Sequence, residues 1–199
     1  MNKYFLVSGL LIGVLIVFSN LGAHEYTRTA SYQKPSVRSA ANFDKMMEVI
    51  MHKRCVNCHP AGDMPRQGED SHLHYFGVQR GEDGQGLAGY ACGSCHHEEN
   101  NNYAGVPGAP HWGLAPASMA WEGKSKIEIA TQMMDPTRNG GKNTQQILKH
   151  LTEDELVLWA WDPGVNDEGQ PREKPPLSKE DWIATVKEWI RNGAIIPSE

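Results

Sequence analysis

Apolar residues recur at helical spacing in two parts of the chain. After Asn42, a candidate N-cap, they recur from Phe43 to Met51 and predict an amphipathic helix that leads directly to Cys55. Between Gly62 and Gly113 this pattern disappears, and glycine, proline and polar residues predict loops and short turns. So long a stretch without regular structure is uncommon in a compact domain unless it wraps around something.

Four further helices are predicted in the second half of the chain. Two of them begin at capping boxes, in which a Ser or Thr and a Glu three residues later bond each other's backbone N–H groups. A last helix starts at Ser178 and ends where Gly193 takes the C′ position. The other three predicted helices span Ser125–Met134, Thr144–Leu151 and Thr152–Trp161. No convincing strand pattern appears, so the predicted fold is mostly α with long loops and little or no β-sheet.

The first residues have the layout of a secretory signal peptide. Lys3 is followed by an uncharged, mostly apolar run from Tyr4 to Ser19, and cleavage is predicted after Ala23. The alternative is an uncleaved N-terminal anchor, in which case this segment would hold the protein at a membrane. Either way the remainder of the chain is predicted to be periplasmic or otherwise exported.

Composition and charge limit the remaining possibilities. The chain has 199 residues, 39% of them hydrophobic, which fits one globular domain. Three segments are predicted: a signal peptide at 1–23, a flexible leader at 24–41 and a single domain at 42–199. The net charge of −5 argues against nucleic-acid binding and suits docking against a basic patch on a partner.

All four cysteines lie in two copies of one motif, Cys-x-x-Cys-His. This motif is the attachment site of c-type haem. Two thiols at this spacing reach both vinyl groups of one porphyrin, and the adjacent histidine then points its imidazole at the iron. The prediction is therefore two covalently bound haem c groups, attached to Cys55, Cys58, Cys92 and Cys95 and ligated by His59 and His96.

Other uses of paired cysteines fit the chain less well. In a zinc ribbon the two pairs stand closer together in sequence than Cys58 and Cys92 do here. A thioredoxin-like site needs one such pair in a βαβ context, which the pattern does not show. Structural disulfides remain open for an exported chain. None of these alternatives explains why a histidine follows both pairs.

The sixth position of each iron has several candidate ligands, since axial ligation in such sites is by His or Met. His74 lies in the loop between the motifs, and His111 lies in a proline-stiffened segment. The candidates that the sequence favours are His74, His111, His150 and Met119, ahead of His72 and Met64. The sequence leaves open which of them serves which haem. Arg138 and Arg172 are either partners for haem propionates or solvated loop residues.

Several blocks of the chain resemble a bacterial family of exported di-haem cytochromes, often labelled "isoquinoline 1-oxidoreductase subunit". The blocks are Arg54–Asp63, PGAPHWGLAP at 107–116, MAWEG at 119–123, DPTRNGG at 135–141 and WAWDPG at 159–164. The resemblance implies haem binding at both motifs, electron transfer and a cytochrome c-like domain. It also implies service to a molybdenum hydroxylase, although nothing here resembles a molybdopterin or iron–sulfur domain.

Electron transfer and catalysis are the two main functional hypotheses. In the first, the chain is not an enzyme but a di-haem carrier that passes single electrons between redox partners, with a dehydrogenase or another cytochrome as the predicted partner. In the second, one haem is five-coordinate and the chain is a peroxidase or a small-molecule reductase. A redox or gas sensor is a third hypothesis, but it would need a signalling domain that the chain does not contain.

Overall fold

The computed structural model describes residues 37–198, so the predicted signal peptide and residues 24–36 of the predicted leader lie outside the described residues. Within residues 37–198 no helix is both long and apolar enough to cross a membrane. The described chain is mostly α-helix and loop. Its helices are α1 Val37–Ile50, α2 Lys53–Val56, α3 Lys126–Met134, α4 Thr144–Glu153, α5 Glu155–Leu158 and α6 Lys179–Arg191.

Two short antiparallel ribbons are the β-structure of the described chain. In the first, β1 Arg66–Gln67 pairs with β2 His72–Leu73, so that Arg66 lies opposite Leu73. In the second, β3 Gly86–Leu87 pairs with β4 Tyr90–Ala91, and Gly86 lies opposite Ala91. Both ribbons lie in the segment predicted as loops and turns, and the prediction of little β-sheet is confirmed.

The hydrophobic core lies where α1 and α4 pack against α6. From α1 it takes Phe43 and Met46, which are fully buried, and from α6 it takes Trp182 and Trp189. The indole of Trp182 donates to the carbonyl of Leu151 on α4 at 2.8 Å, which fixes the two helices relative to each other. Because the apolar stripes of all three helices meet here, the core forms without any strand.

Most of the predicted helix boundaries are confirmed. The Ser125 side chain accepts from the backbone N–H of Glu128, and the Glu128 carboxylate bonds back to Ser125, as the capping box predicts. Ser178 caps α6 by accepting from the Asp181 N–H. Gly193 follows α6 with a φ of +88°, a conformation that favours glycine at C′.

Two boundaries differ from the prediction. Helix α1 begins at Val37, so Asn42 lies inside the helix and residues 37–41 are helical instead of part of a flexible leader. The second capping box was also wrong. Thr152 lies within α4 and its hydroxyl donates to the Leu148 carbonyl at 2.8 Å, whereas Asp154 caps α5 by accepting from the Leu156 N–H. Aspartate is a good N-cap, and here it displaces a threonine two residues earlier.

Candidate functional site

The first Cys-x-x-Cys-His motif faces a cavity beside the helical core. Cys55 lies on α2, and a turn in which the Cys58 N–H donates to the Cys55 carbonyl at 3.1 Å brings both thiols to the same side. Both thiols and the ring of His59 line a cavity of about 250 Å³. Its other walls include Ile50 of α1 and Leu151 of α4. We call Cys55, Cys58, His59 and the adjoining Trp121 the inner site.

The imidazole of His59 is fixed from two sides. Its Nδ1 lies 2.7 Å from the carbonyl oxygen of Met119, which can only accept, so Nδ1 carries the proton. The ring stacks on Trp121 with the ring centres 3.4 Å apart and the planes 7° from parallel. This tautomer leaves Nε2 as the nitrogen with a free lone pair, which is the state a metal ligand requires.

Burial keeps the groups of the inner site neutral. His59 keeps some solvent-exposed surface, but protein surrounds its ring at the cavity wall. The resulting loss of solvation lowers the pKa of His59 to about 3. Burial also raises the pKa of the Cys55 thiol to about 12. Burial, together with the nearby Cys92, raises the pKa of Cys58 to about 11, so the two motifs lie close together. The structure therefore brings both motifs into one region of the molecule.

The second motif repeats the design of the first in a more exposed setting. It begins in a short 3₁₀ turn, Cys92–Ser94, directly after β4. The Nδ1 of His96 donates to the Pro107 carbonyl at 2.7 Å, and its ring stacks on Trp112 with centres 4.6 Å apart and planes 10° from parallel. Burial lowers the pKa of His96 as well. We call Cys92, Cys95, His96 and Trp112 the outer site.

His74 is the candidate distal ligand that the structure places at the outer site. Its ring centre lies 6.0 Å from that of His96, with the planes 72° apart. Two imidazoles that ligate one metal ion from opposite sides have centres about 6 Å apart, because each metal–nitrogen bond is about 2 Å long. The Nδ1 of His74 donates to the Tyr75 carbonyl at 2.8 Å, which again leaves Nε2 free.

His150 is the candidate that the structure places at the inner site. It lies on α4 and lines the same cavity as His59. Its Nδ1 lies 3.0 Å from Oδ2 of Asp154, four residues later in the chain. Desolvation dominates the pKa of His59, and His150 is near enough to contribute to the same downward shift.

The other two candidate ligands are placed differently. His111 also lines the inner cavity, but it is exposed and has a positive φ of +59°. The buried Met119 lines the cavity too, yet its carbonyl is the acceptor for Nδ1 of His59. Its backbone therefore lies on the Nδ1 side of the ring, away from the side that Nε2 faces.

The two sites are joined by aromatic contacts. Trp159 lines the inner cavity and meets Trp112 of the outer site edge to face, with ring centres 4.9 Å apart. The backbone of the same region also joins them, because Ala115, three residues after Trp112, donates to the Cys58 carbonyl at 3.2 Å.

Several functional residues of this region have only a weak sequence signal. The buried guanidinium of Arg80 donates to the carbonyls of Ala115 and Gly62, which holds the loops around the inner site. Arg54 is buried beside Cys55 and pairs with Glu69. Arg172, a candidate for a propionate, donates to the carbonyls of Pro163 and Gly105. The spacing of His150 and Asp154, four apart, is a signal that sequence inspection could have used.

The residues of the inner site fit a c-type haem. Both thiols are free, and with a neutral imidazole they open onto one largely apolar cavity. Trp121 also lines the cavity, and its Nε1 is buried with no hydrogen-bond partner, as would suit an acceptor oxygen of a bound group. Within residues 37–198 no group of three or more His, Cys, Asp or Glu side chains is placed to hold a metal ion.

Comparisons of this chain with protein-family models, with curated proteins and with solved structures find no match.

Proposed function

We propose that this chain is an exported di-haem c-type cytochrome that carries single electrons between redox partners. The observation that carries the proposal is the repeated geometry of the two motifs. In each, the histidine donates Nδ1–H to a backbone carbonyl and stacks on a tryptophan, so that Nε2 is held ready for a metal. A short helix that holds Cys55 and a 3₁₀ turn that holds Cys92 lead to the same arrangement at the only two Cys-x-x-Cys-His sequences of the chain.

When bound, each haem supplies one-electron chemistry between ferric and ferrous iron. Cys55 and Cys58 would hold one porphyrin by thioether bonds, and Cys92 and Cys95 would hold the other. His59 and His96 would be the proximal ligands. The position of the first motif directly after α1, which packs on the C-terminal helix α6, fits the cytochrome c-like domain that the sequence predicts.

Electron transfer is favoured over catalysis because each site has a second histidine near its proximal one. His74 faces His96 at the outer site, and His150 shares the inner cavity with His59. At the inner site we favour His150 over His111, because a hydrogen bond fixes the ring of His150. An iron with both axial positions occupied has no open position for a substrate, and it changes its charge with little rearrangement.

The contact between the sites supports transfer within one chain. Trp159 of the inner cavity touches Trp112, which stacks on the imidazole of His96. A short distance between the two porphyrins would let an electron that enters at one haem leave from the other. The partners would be a dehydrogenase and a second cytochrome, and the family resemblance adds a molybdenum hydroxylase as a candidate donor.

The proposal is tested on protein matured in a host that attaches c-type haem. We expect two haems per chain, both low-spin in the ferric and the ferrous state. Colourless protein, or thiols that bind zinc instead, would contradict the proposal. One high-spin iron with peroxide turnover would replace it with the haem-enzyme hypothesis.

Variants of the distal candidates sharpen the test. We expect His150→Ala and His74→Ala each to convert one of the two haems to high spin, and the double variant to convert both. His111→Ala is the matched control, since it also removes an imidazole from the inner cavity wall, and we expect both haems to stay low-spin. A low-spin double variant would show that other residues are the distal ligands.

A further inference from the structure

The four histidines assigned to the two sites differ in what holds their Nδ1 atoms. Three of them donate to neutral backbone carbonyls: His59 to Met119, His96 to Pro107 and His74 to Tyr75. His150 is different, because its partner is the carboxylate of Asp154 at 3.0 Å. The protein therefore gives the inner site one ligand with a charged partner and gives the outer site none.

The carboxylate of Asp154 is itself held firmly. Asp154 is the N-cap of α5, and its Oδ1 accepts from the Leu156 N–H at 3.0 Å. Its Oδ2 is thereby turned towards His150, which lies on the last turn of α4. The carboxylate cannot turn away from the imidazole without giving up the cap of α5.

We propose that Asp154 is a positioning residue that lowers the reduction potential of the inner haem alone. This inference rests on the proposed function, with His150 as the distal ligand of the inner site. A carboxylate that accepts from Nδ1–H fixes the tautomer and orientation of the ring and makes Nε2 a stronger electron donor. A stronger donor stabilises ferric iron more than ferrous iron, so it lowers the potential. His74 lacks this effect at the outer site, because its acceptor is the neutral Tyr75 carbonyl.

The deciding variant is Asp154→Asn in the haem-loaded protein. Asparagine caps helices as well as aspartate does, so α5 keeps its start while the charge beside His150 is lost. We expect a redox titration to show the midpoint potential of one haem shifted upwards and that of the other unchanged. The near-infrared magnetic circular dichroism band of one ferric haem should move as well, which a purely structural role of Asp154 would not produce.

The chain offers a matched control in Asp70. Its carboxylate lies 2.6 Å from Nδ1 of His72, a pair of the same kind at a histidine that belongs to neither site. We expect Asp70→Asn to leave both midpoint potentials and both infrared bands in place. An equal shift in Asp70→Asn would overturn the inference, because it would show that any lost surface charge has this effect.

The outcomes separate this inference from the proposed function. If wild-type protein carries two low-spin haems and Asp154→Asn leaves both potentials unchanged, the inference fails and the di-haem carrier stands. A shift of both haems by the same amount would also overturn it. If wild-type protein carries no haem, the proposed function itself fails.

Discussion

At the inner site the Cys-x-x-Cys-His motif follows a helix and faces the core, whereas at the outer site the same motif follows a two-residue strand and lies among loops. Cys55 and Cys58 line the cavity, but Cys95 is exposed. Both proximal histidines nevertheless share one geometry, with a carbonyl on Nδ1 and an indole against the ring. The comparison teaches that the motif and its immediate partners set the ligand geometry, while the surroundings set burial and charge.

The largest expected effect comes from removing each attachment site in turn. Cys55→Ser/Cys58→Ser and Cys92→Ser/Cys95→Ser should each lower the haem count from two to one. Loss of the inner haem should lower the free energy of unfolding by more than the roughly 3–5 kcal/mol that deletion of a buried aromatic side chain costs, because it leaves a void against the core. Loss of the outer haem should cost less, since no core side chain loses its packing.

Haem content by the pyridine haemochrome assay and unfolding in urea measure this difference. Equal losses of stability in the two double variants would show that the inner site is no more a part of the core than the outer one.

The two stacking tryptophans give the next test. Trp121 is only 5% exposed, so Trp121→Ala should lower the free energy of unfolding by about 3–5 kcal/mol. Trp112→Ala should cost roughly half as much, because Trp112 is only half-buried and less apolar area is lost. Urea unfolding checks both values. The matched Trp→Phe variants keep a flat ring against each imidazole and should recover most of the loss, and a larger cost at Trp112 would reverse the comparison.

Acid should also distinguish the two sites. Desolvation lowers the pKa of His59 from 6.5 to about 3. In protein without haem, the unfolded chain therefore binds a proton at His59 below about pH 6.5, whereas His59 of the native state stays unprotonated down to about pH 3. The stability from neutral His59 is complete above about pH 6.5, and it falls by up to about 1.4 kcal/mol per pH unit on the way down to pH 3. Burial lowers the pKa of His96 too, so this histidine acts in the same direction.

We expect the outer haem to lose its low-spin spectrum at a higher pH than the inner haem, because the outer site is more open. A pH titration of the absorbance and of the paramagnetic resonance signals resolves the two steps. A single step, or loss of the inner haem first, would contradict the burial difference between the sites.

The helices of the core were largely predictable because their signals are local. The Ser125 capping box and the apolar stripe of α6 each lie within a few residues. The errors arose where two local signals compete, as at Thr152 and Asp154, which both can cap a helix. The start of α1 differs from the prediction because residues 37–41 precede the regular apolar spacing that begins at Phe43, so no local pattern marks where the helix starts.

The residues of the candidate site also fall into those that the sequence predicts and those that it does not. The two motifs, and hence the six residues that would attach and ligate the haems from the proximal side, are contiguous in sequence and could be read directly. The partners of those residues could not. Met119 lies sixty residues from the His59 it bonds. Asp154 lies only four residues from His150, but its role depends on where the imidazole of His150 points.

The sequence by itself determined where covalent attachment is predicted and which segments become helices, because both depend on neighbours along the chain. Only the tertiary structure decided that His74 faces His96, that His150 shares a cavity with His59, and that one motif lies against the core and the other among loops. These relations join residues that are far apart in sequence, so packing fixes them. The apolar faces of α1, α4 and α6 must meet before the loops between these helices are held in place.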